Sequence, residues 1–155
     1  MHSRIFQISK NKIEEPISDY RYDEGFVGRI ADYVVKSENK QDDVKWLSTC
    51  HKGIEVTTKG GVTKLKIVSK AEYFEKQFEE FQEYLNKLKD YTMEDFIDSS
   101  KWLDMYRLKD AYNDEHGFYI DDNDEYHGIA TLDEFIRNAE DGDVYYIGST
   151  FDYHF

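Results

Sequence analysis

Between Tyr119 and Gly128 the chain reads YIDDNDEYHG, four carboxylates and one histidine within ten residues. Oxygen donors at that density raise the chemistry of a hard-cation loop. Counted from Asn123, the twelve residues NDEYHGIATLDE put Gly128 at the sixth position and Glu134 at the twelfth, the spacing of an EF-hand calcium loop. Asn123, Glu125, His127 and Thr131 then fall at ligand positions. The match is degenerate. His127 offers nitrogen where calcium takes oxygen, and the preceding GFYI reads as a strand rather than an entering helix. Glu134 also has a simpler role, three residues after Thr131 at the start of a helix. A softer site built from His116, His127 and His154 with Asp122 or Asp124 has no recognised ligand spacing. No metal or cofactor is assigned.

Other chemistries are weaker still. Cys50 and His51 are adjacent, but neighbouring residues on a helix point about 100° apart, so a thiol–base pair does not form naturally. Cys50 is expected to be a buried structural residue. TTKGGVTK lacks the Gly-x-x-x-x-Gly-Lys spacing of a phosphate loop. Among 33 carboxylates, spacing singles out no acid–base pair, so no catalytic residue is assigned.

Charge is more informative. The formal net charge is −13. Residues 1–70 hold 13 Lys/Arg against 10 Asp/Glu, whereas residues 71–155 hold 7 against 23. A basic stripe is the footprint of phosphate recognition, so direct nucleic-acid binding is disfavoured. The excess of carboxylates is either solvated surface or a negative field directed at a basic protein partner.

The elements that would carry these residues follow from periodicity. RIFQIS, residues 4–9, reads as a strand. In FVGRIADYVVKSEN, residues 26–39, Phe26, Ile30 and Val34 recur every four residues, which predicts a helix despite Gly28. A short helix is expected over DDVKWLSTC, residues 42–50. IEVTT and VTKLKIV alternate around Gly60-Gly61, a hairpin. Ser69 and Glu72 form a capping box before a long helix whose Phe74, Phe78, Phe81, Leu85 and Leu88 make an apolar stripe expected to pack into the core. Thr92 opens a shorter helix, KWLDMYRLKDAY a further one, and TLDEFIRNAEDG, residues 131–142, the last. FYI, VYYIG and TFDYHF read as strands, the last as either an internal strand or a sheet-edge contact with a second copy.

This predicts an α+β fold, one domain over residues 1–155, with a small, mainly antiparallel sheet packed against several amphipathic helices. No apolar run approaches the ~20 residues of a membrane span, and MHSRIFQISKNK lacks the apolar stretch of a secretory signal. The single cysteine allows no internal disulfide, and a cytoplasmic protein is expected. The functional expectation is a non-enzymatic acidic protein that binds a basic partner through a carboxylate- and tyrosine-rich surface. Glu75, Glu79 and Glu83 on the long helix and Asp121, Asp122, Asp124 and Glu125 in the opening stretch are its candidate binding residues. A divalent-ion module over Asp121–Glu134, a small enzyme with an unreadable site, and self-association stand as alternatives.

Overall fold

The computed structural model describes residues 1–17, 26–122, 124 and 128–155. Its centre is one mixed sheet of seven strands: β1 (His2–Ser9), β2 (Tyr33–Lys36), β3 (Ile54–Lys59), β4 (Val62–Ile67), β5 (Tyr119–Asp122), β6 (Ile129–Thr131) and β7 (Val144–His154). The order is β3-β4-β7-β1-β5-β6, with β2 paired to the far end of β7. Among these seven strands β1 and β5 run parallel and the other pairings are antiparallel. Five helices among the described residues complete the α+β fold: α1 (Lys40–Cys50), α2 (Lys70–Leu88), α3 (Met93–Asp98), α4 (Trp102–Tyr112) and α5 (Leu132–Asn138). No described helix is long and apolar enough to cross a membrane.

β7 organises the sheet. VYYIG and TFDYH, joined through Ser149, are one eleven-residue strand, paired with β1 along one edge and with β4 and β2 along the other. TFDYHF is therefore an internal strand. Opposite Gln7 the register slips, from Phe6↔Thr150 to Ile8↔Ile147, so β7 carries one extra residue there. A bulge of that kind reverses which face the side chains take. Tyr145 and Ile147 consequently join Phe6, Ile8, Leu65, Ile67 and Ile120 in a core closed by Val44 and Leu47 of α1 and Leu132 and Ile136 of α5. Phe151 and Tyr153 face the opposite layer, with Ile5, Tyr119, Phe26 and Ala31. The buried Gln7 amide oxygen accepts the Ser149 N–H at 3.0 Å, satisfying a donor that the bulge takes out of the ladder.

Residues 26–39 are not a helix. Phe26 accepts backbone N–H groups from Ile30 and Ala31 in a turn, Gly28 sits at φ +93°, and Tyr33–Lys36 pairs with β7. The β-branched Val34-Val35 suits the ladder, while Phe26 and Ala31 drop into the second core. Apolar residues four apart fit a turn followed by a strand as well as they fit a helix. The last helix is also shorter than expected, ending at Asn138.

At α2 and α5 the expected cap residue forms the N-cap half of its box. The Ser69 hydroxyl accepts the Glu72 N–H and the Thr131 hydroxyl accepts the Glu134 N–H. At Thr92 both halves of a capping box form with Asp95, whose carboxyl is held down to about 2 by the Thr92 N–H and hydroxyl. α1 is tied to the sheet by Asp43, which accepts Arg4 Nε at 2.5 Å and Thr150 Oγ1 at 2.6 Å; Arg4 also pairs with Asp152 and lies over Trp46.

Candidate helical interaction arm

α2 begins against the core and then leaves it. Its nineteen residues span roughly 28 Å at 1.5 Å per residue. Only the first turns touch the body. Tyr73 Oη donates to the buried Asp133 at 2.8 Å, Gln77 Nε2 donates to both oxygens of that carboxylate at 3.0 Å, and the Asp114 N–H donates at 2.9 Å. Beyond this root α2 packs on α4, which returns beside it. Arg107 reaches the Tyr84 hydroxyl at 3.1 Å, and the Phe81 and Tyr112 rings lie 6.2 Å apart. The α2–α3–α4 segment is therefore an arm rooted on α5.

The phenylalanine stripe is only partly core, which corrects the sequence expectation. Phe78 is 58% exposed and Leu85 49%. The sheet face that such a stripe would cover is already filled by α1 and α5, and a helix of eleven residues shields only one flank of α2. The arm exposes more apolar surface beyond it, with Phe96 68% exposed, Ile97 75% and Trp102 62%, followed by Met93, Leu103, Met105 and Tyr106. Scattered exposed apolar residues are ordinary; a run of them along one element marks an interaction surface. The sequence held one signal for this. In KWLDMYRLKDAY the apolar residues lie on every side of the helix, so one neighbour cannot bury them all.

Carboxylates flank this surface. Residues 71–112 hold eleven Asp/Glu and six Lys/Arg. Glu75, Glu79 and Glu83, each exposed, follow one edge of α2. Part of this charge is locally balanced, since Glu75 lies 4.0 Å from Lys52, Glu83 pairs with Lys87 at 2.6 Å and Glu80 with Lys76 at 3.5 Å. Exposed pairs of this kind contribute little and leave the carboxylates available.

The second group of candidate residues lies elsewhere. Asp121 and Asp122 close β5 beside β1. The Asp124 carboxylate accepts Ser9 Oγ at 2.8 Å and the Lys10 N–H at 2.5 Å, so it is engaged at the end of β1. Glu125, with Asn123 and His127 of the calcium-loop pattern, lies outside the described residues. Glu75 and Glu79 line a cleft between α1 and α2, whereas Asp122 lines a different hollow with Lys10, Glu134 and Asp143. The two sets share neither hollow. Among the described residues no three His, Cys, Asp or Glu side chains are placed to hold a metal ion.

The α1–α2 cleft has a volume of about 740 Å³ and holds Cys50, His51 and Tyr73. Cys50 is exposed rather than buried, at the C-terminal end of α1 beside this cleft. His51 stacks on Tyr73 with ring centroids 5.1 Å apart. Burial pushes the Tyr73 hydroxyl up, reinforced by Asp133, so Tyr73 stays a proton donor; burial likewise pushes the Asp114 carboxyl up. Of the ten described tyrosines, six are exposed or half-buried and four are not. Tyr73, Tyr119, Tyr145 and Tyr153 are buried, with hydroxyls bonded to Asp133, the Glu115 carbonyl, Asp143 and the Gly117 carbonyl.

His51 supports a pH prediction. Burial lowers its pKa below 6.5, outweighing the pull of Asp133 and Asp114. The unfolded chain therefore takes up this proton first on acidification. The stability carried by neutral His51 is complete above the unfolded pKa and declines as pH falls towards the folded one. Urea midpoints measured from about pH 7 down to about pH 5 should fall less steeply for His51→Phe, which keeps the ring stacking, than for the parent. Parallel slopes would remove His51 as a cause.

Compared with protein-family models, curated proteins and solved structures, the chain gives no significant match to any of them.

Proposed function

We propose that this chain is a non-enzymatic interaction protein of the cytoplasm whose α2–α4 arm captures a basic protein partner. The observation that carries the reading is an arm that leaves Leu85, Phe96, Ile97 and Trp102 in solvent while carrying nearly twice as many carboxylates as cations. Carboxylates attract and orient a Lys/Arg-bearing segment over distances of a Debye length, and apolar contact then holds it. Charge favours such a partner over a second copy of the chain, since two molecules of net −13 repel. In this reading Glu75, Glu79 and Glu83, on the same helix as Leu85, supply the near carboxylates, while Asp121 and Asp122 at the end of β5 and Asp124 just beyond it add to the long-range field.

The test uses defined peptides, with Trp102 fluorescence as the readout. An amphipathic helix with lysines on one face and leucines on the other should bind, and its affinity should fall steeply as salt is raised. Peptides with glutamates for the lysines, or serines for the leucines, should not bind. Changing Glu75, Glu79 and Glu83 together to Gln should weaken capture about tenfold. Replacing Phe96 and Ile97 by Ser should weaken it at least as much, with little effect on folding because both side chains are exposed. Binding indifferent to salt and to both sets of changes would end the reading.

A further inference from the structure

At the root of the arm, on the flank away from the α1–α2 cleft, lies an apolar groove of about 430 Å³. Phe74, Phe78 and Phe81 form one wall, Ala111 and Tyr112 the other, and Lys70 and Arg137 close one end. Arg137 is the unusual component. Its guanidinium lies against two rings, 4.8 Å from the centroid of Phe74 and 4.3 Å from that of Tyr112. Among the described residues its one side-chain hydrogen-bond acceptor is the Tyr112 carbonyl, and it makes no ion pair. Guanidinium offers five N–H donors in a planar fork. In a chain with 33 carboxylates, a stacked arginine without an acidic partner stands out. Lys70 adds a second positive charge, held in place by the Arg137 and Ala139 carbonyls at 2.6 and 2.7 Å.

We propose that this groove binds a free alkyl carboxylate, its chain lying on Phe74, Phe78, Phe81 and Tyr112 and its carboxylate on the open edge of Arg137. The volume lies within the range of small-molecule sites, which pair an apolar lining with a few fixed polar groups. A planar carboxylate matches the guanidinium fork, and the stacking has already fixed the orientation of that fork. Charge selects a small monoanion over an acidic protein segment. One carboxylate is held locally by Arg137 and Lys70, whereas several would meet the field of the whole molecule. The site is separate from the carboxylate edge of α2 and does not depend on capture of a basic partner.

Sodium decanoate, well below its micelle concentration, is the probe, with 1-decanol and decylamine as neutral and cationic matches of the same chain. Aromatic NMR shifts of Phe78 and Tyr112 and the rise in melting temperature report binding. Decanoate should bind at least tenfold more tightly than decanol, as a charge-assisted bond to arginine implies. Arg137→Gln should abolish that preference while leaving chain-length dependence, and Phe78→Ser, at an exposed position, should weaken decanoate and decanol alike. Equal binding of decanol, tighter binding of decylamine, no binding of decanoate, or a preference unchanged in Arg137→Gln would each overturn the proposal. Binding of a short apolar peptide through its C-terminal carboxylate, with decanoate ignored, would overturn it as well.

Discussion

Gly53→Ala is expected to destabilise the protein by about 3 kcal/mol or more, among the largest effects of any single methyl group added here. Gly53 sits at φ +69° between α1 and β3, and its carbonyl accepts the N–H groups of Val68 and Ser69. A Cβ at this position would lie 2.2 Å from the Ser69 carbonyl oxygen and 2.6 Å from the Tyr73 nitrogen. Both are backbone atoms at the start of α2, so no side chain can rotate out of the way. Gly60 and Gly61 provide the control. They also have positive φ, 58° and 77°, but a Cβ at either would meet nothing within 4 Å. Alanine there should cost only about 1 kcal/mol, the conformational penalty alone. Urea unfolding of the three variants separates the two contributions. If Gly53→Ala unfolds no earlier than Gly60→Ala, the close approach of α2 to the β3 entry is wrong.

The second large effect concerns the root of the arm. Asp133→Ala should cost about 3–5 kcal/mol, because it strips the acceptor from three donors at once, Tyr73 Oη, Gln77 Nε2 and the Asp114 N–H. The loss should not be uniform. These bonds join α2 and the segment after α4 to α5, so amide exchange in α2 and α4 should accelerate well beyond that of β1 and β7. Tyr73→Phe combined with Asp133→Ala should cost less than the two changes summed, since both remove one bond. If exchange rises equally in arm and sheet, or the two costs simply add, Asp133 is not the fastening point.

The β3–β4 hairpin was legible because Gly60-Gly61 interrupts two alternating runs, and α2 because Ser69 and a 4-3-4-3 stripe agree. The α+β class followed from these. Residues 26–39 misled because Phe26, Ile30 and Val34 satisfy a helical period without committing the backbone to it, and Gly28 was the stronger signal. The parallel pairing of β1 with β5 joins residues more than a hundred positions apart, which no local pattern encodes. The candidate site was legible in its charge but not in its placement. Glu75, Glu79 and Glu83 do line one edge of the arm, yet Asp121, Asp122 and Asp124 belong to another region. Spacing showed that α2 had an apolar face; it could not show that α1 and α5 had already taken the sheet surface that face would need. The exposed Phe78 and Leu85, and the stacked Arg137, follow from that competition.

The extra residue in β7 has a consequence for how the molecule comes apart. Because one strand feeds Tyr145 and Ile147 to one layer and Phe151 and Tyr153 to the other, neither layer can loosen without dragging on its counterpart. A slip of one position would turn all four rings and chains to the wrong side together. The two halves should therefore melt as one, while the protruding helices, fastened only at their root around Asp133 and Arg137, remain free to open on their own.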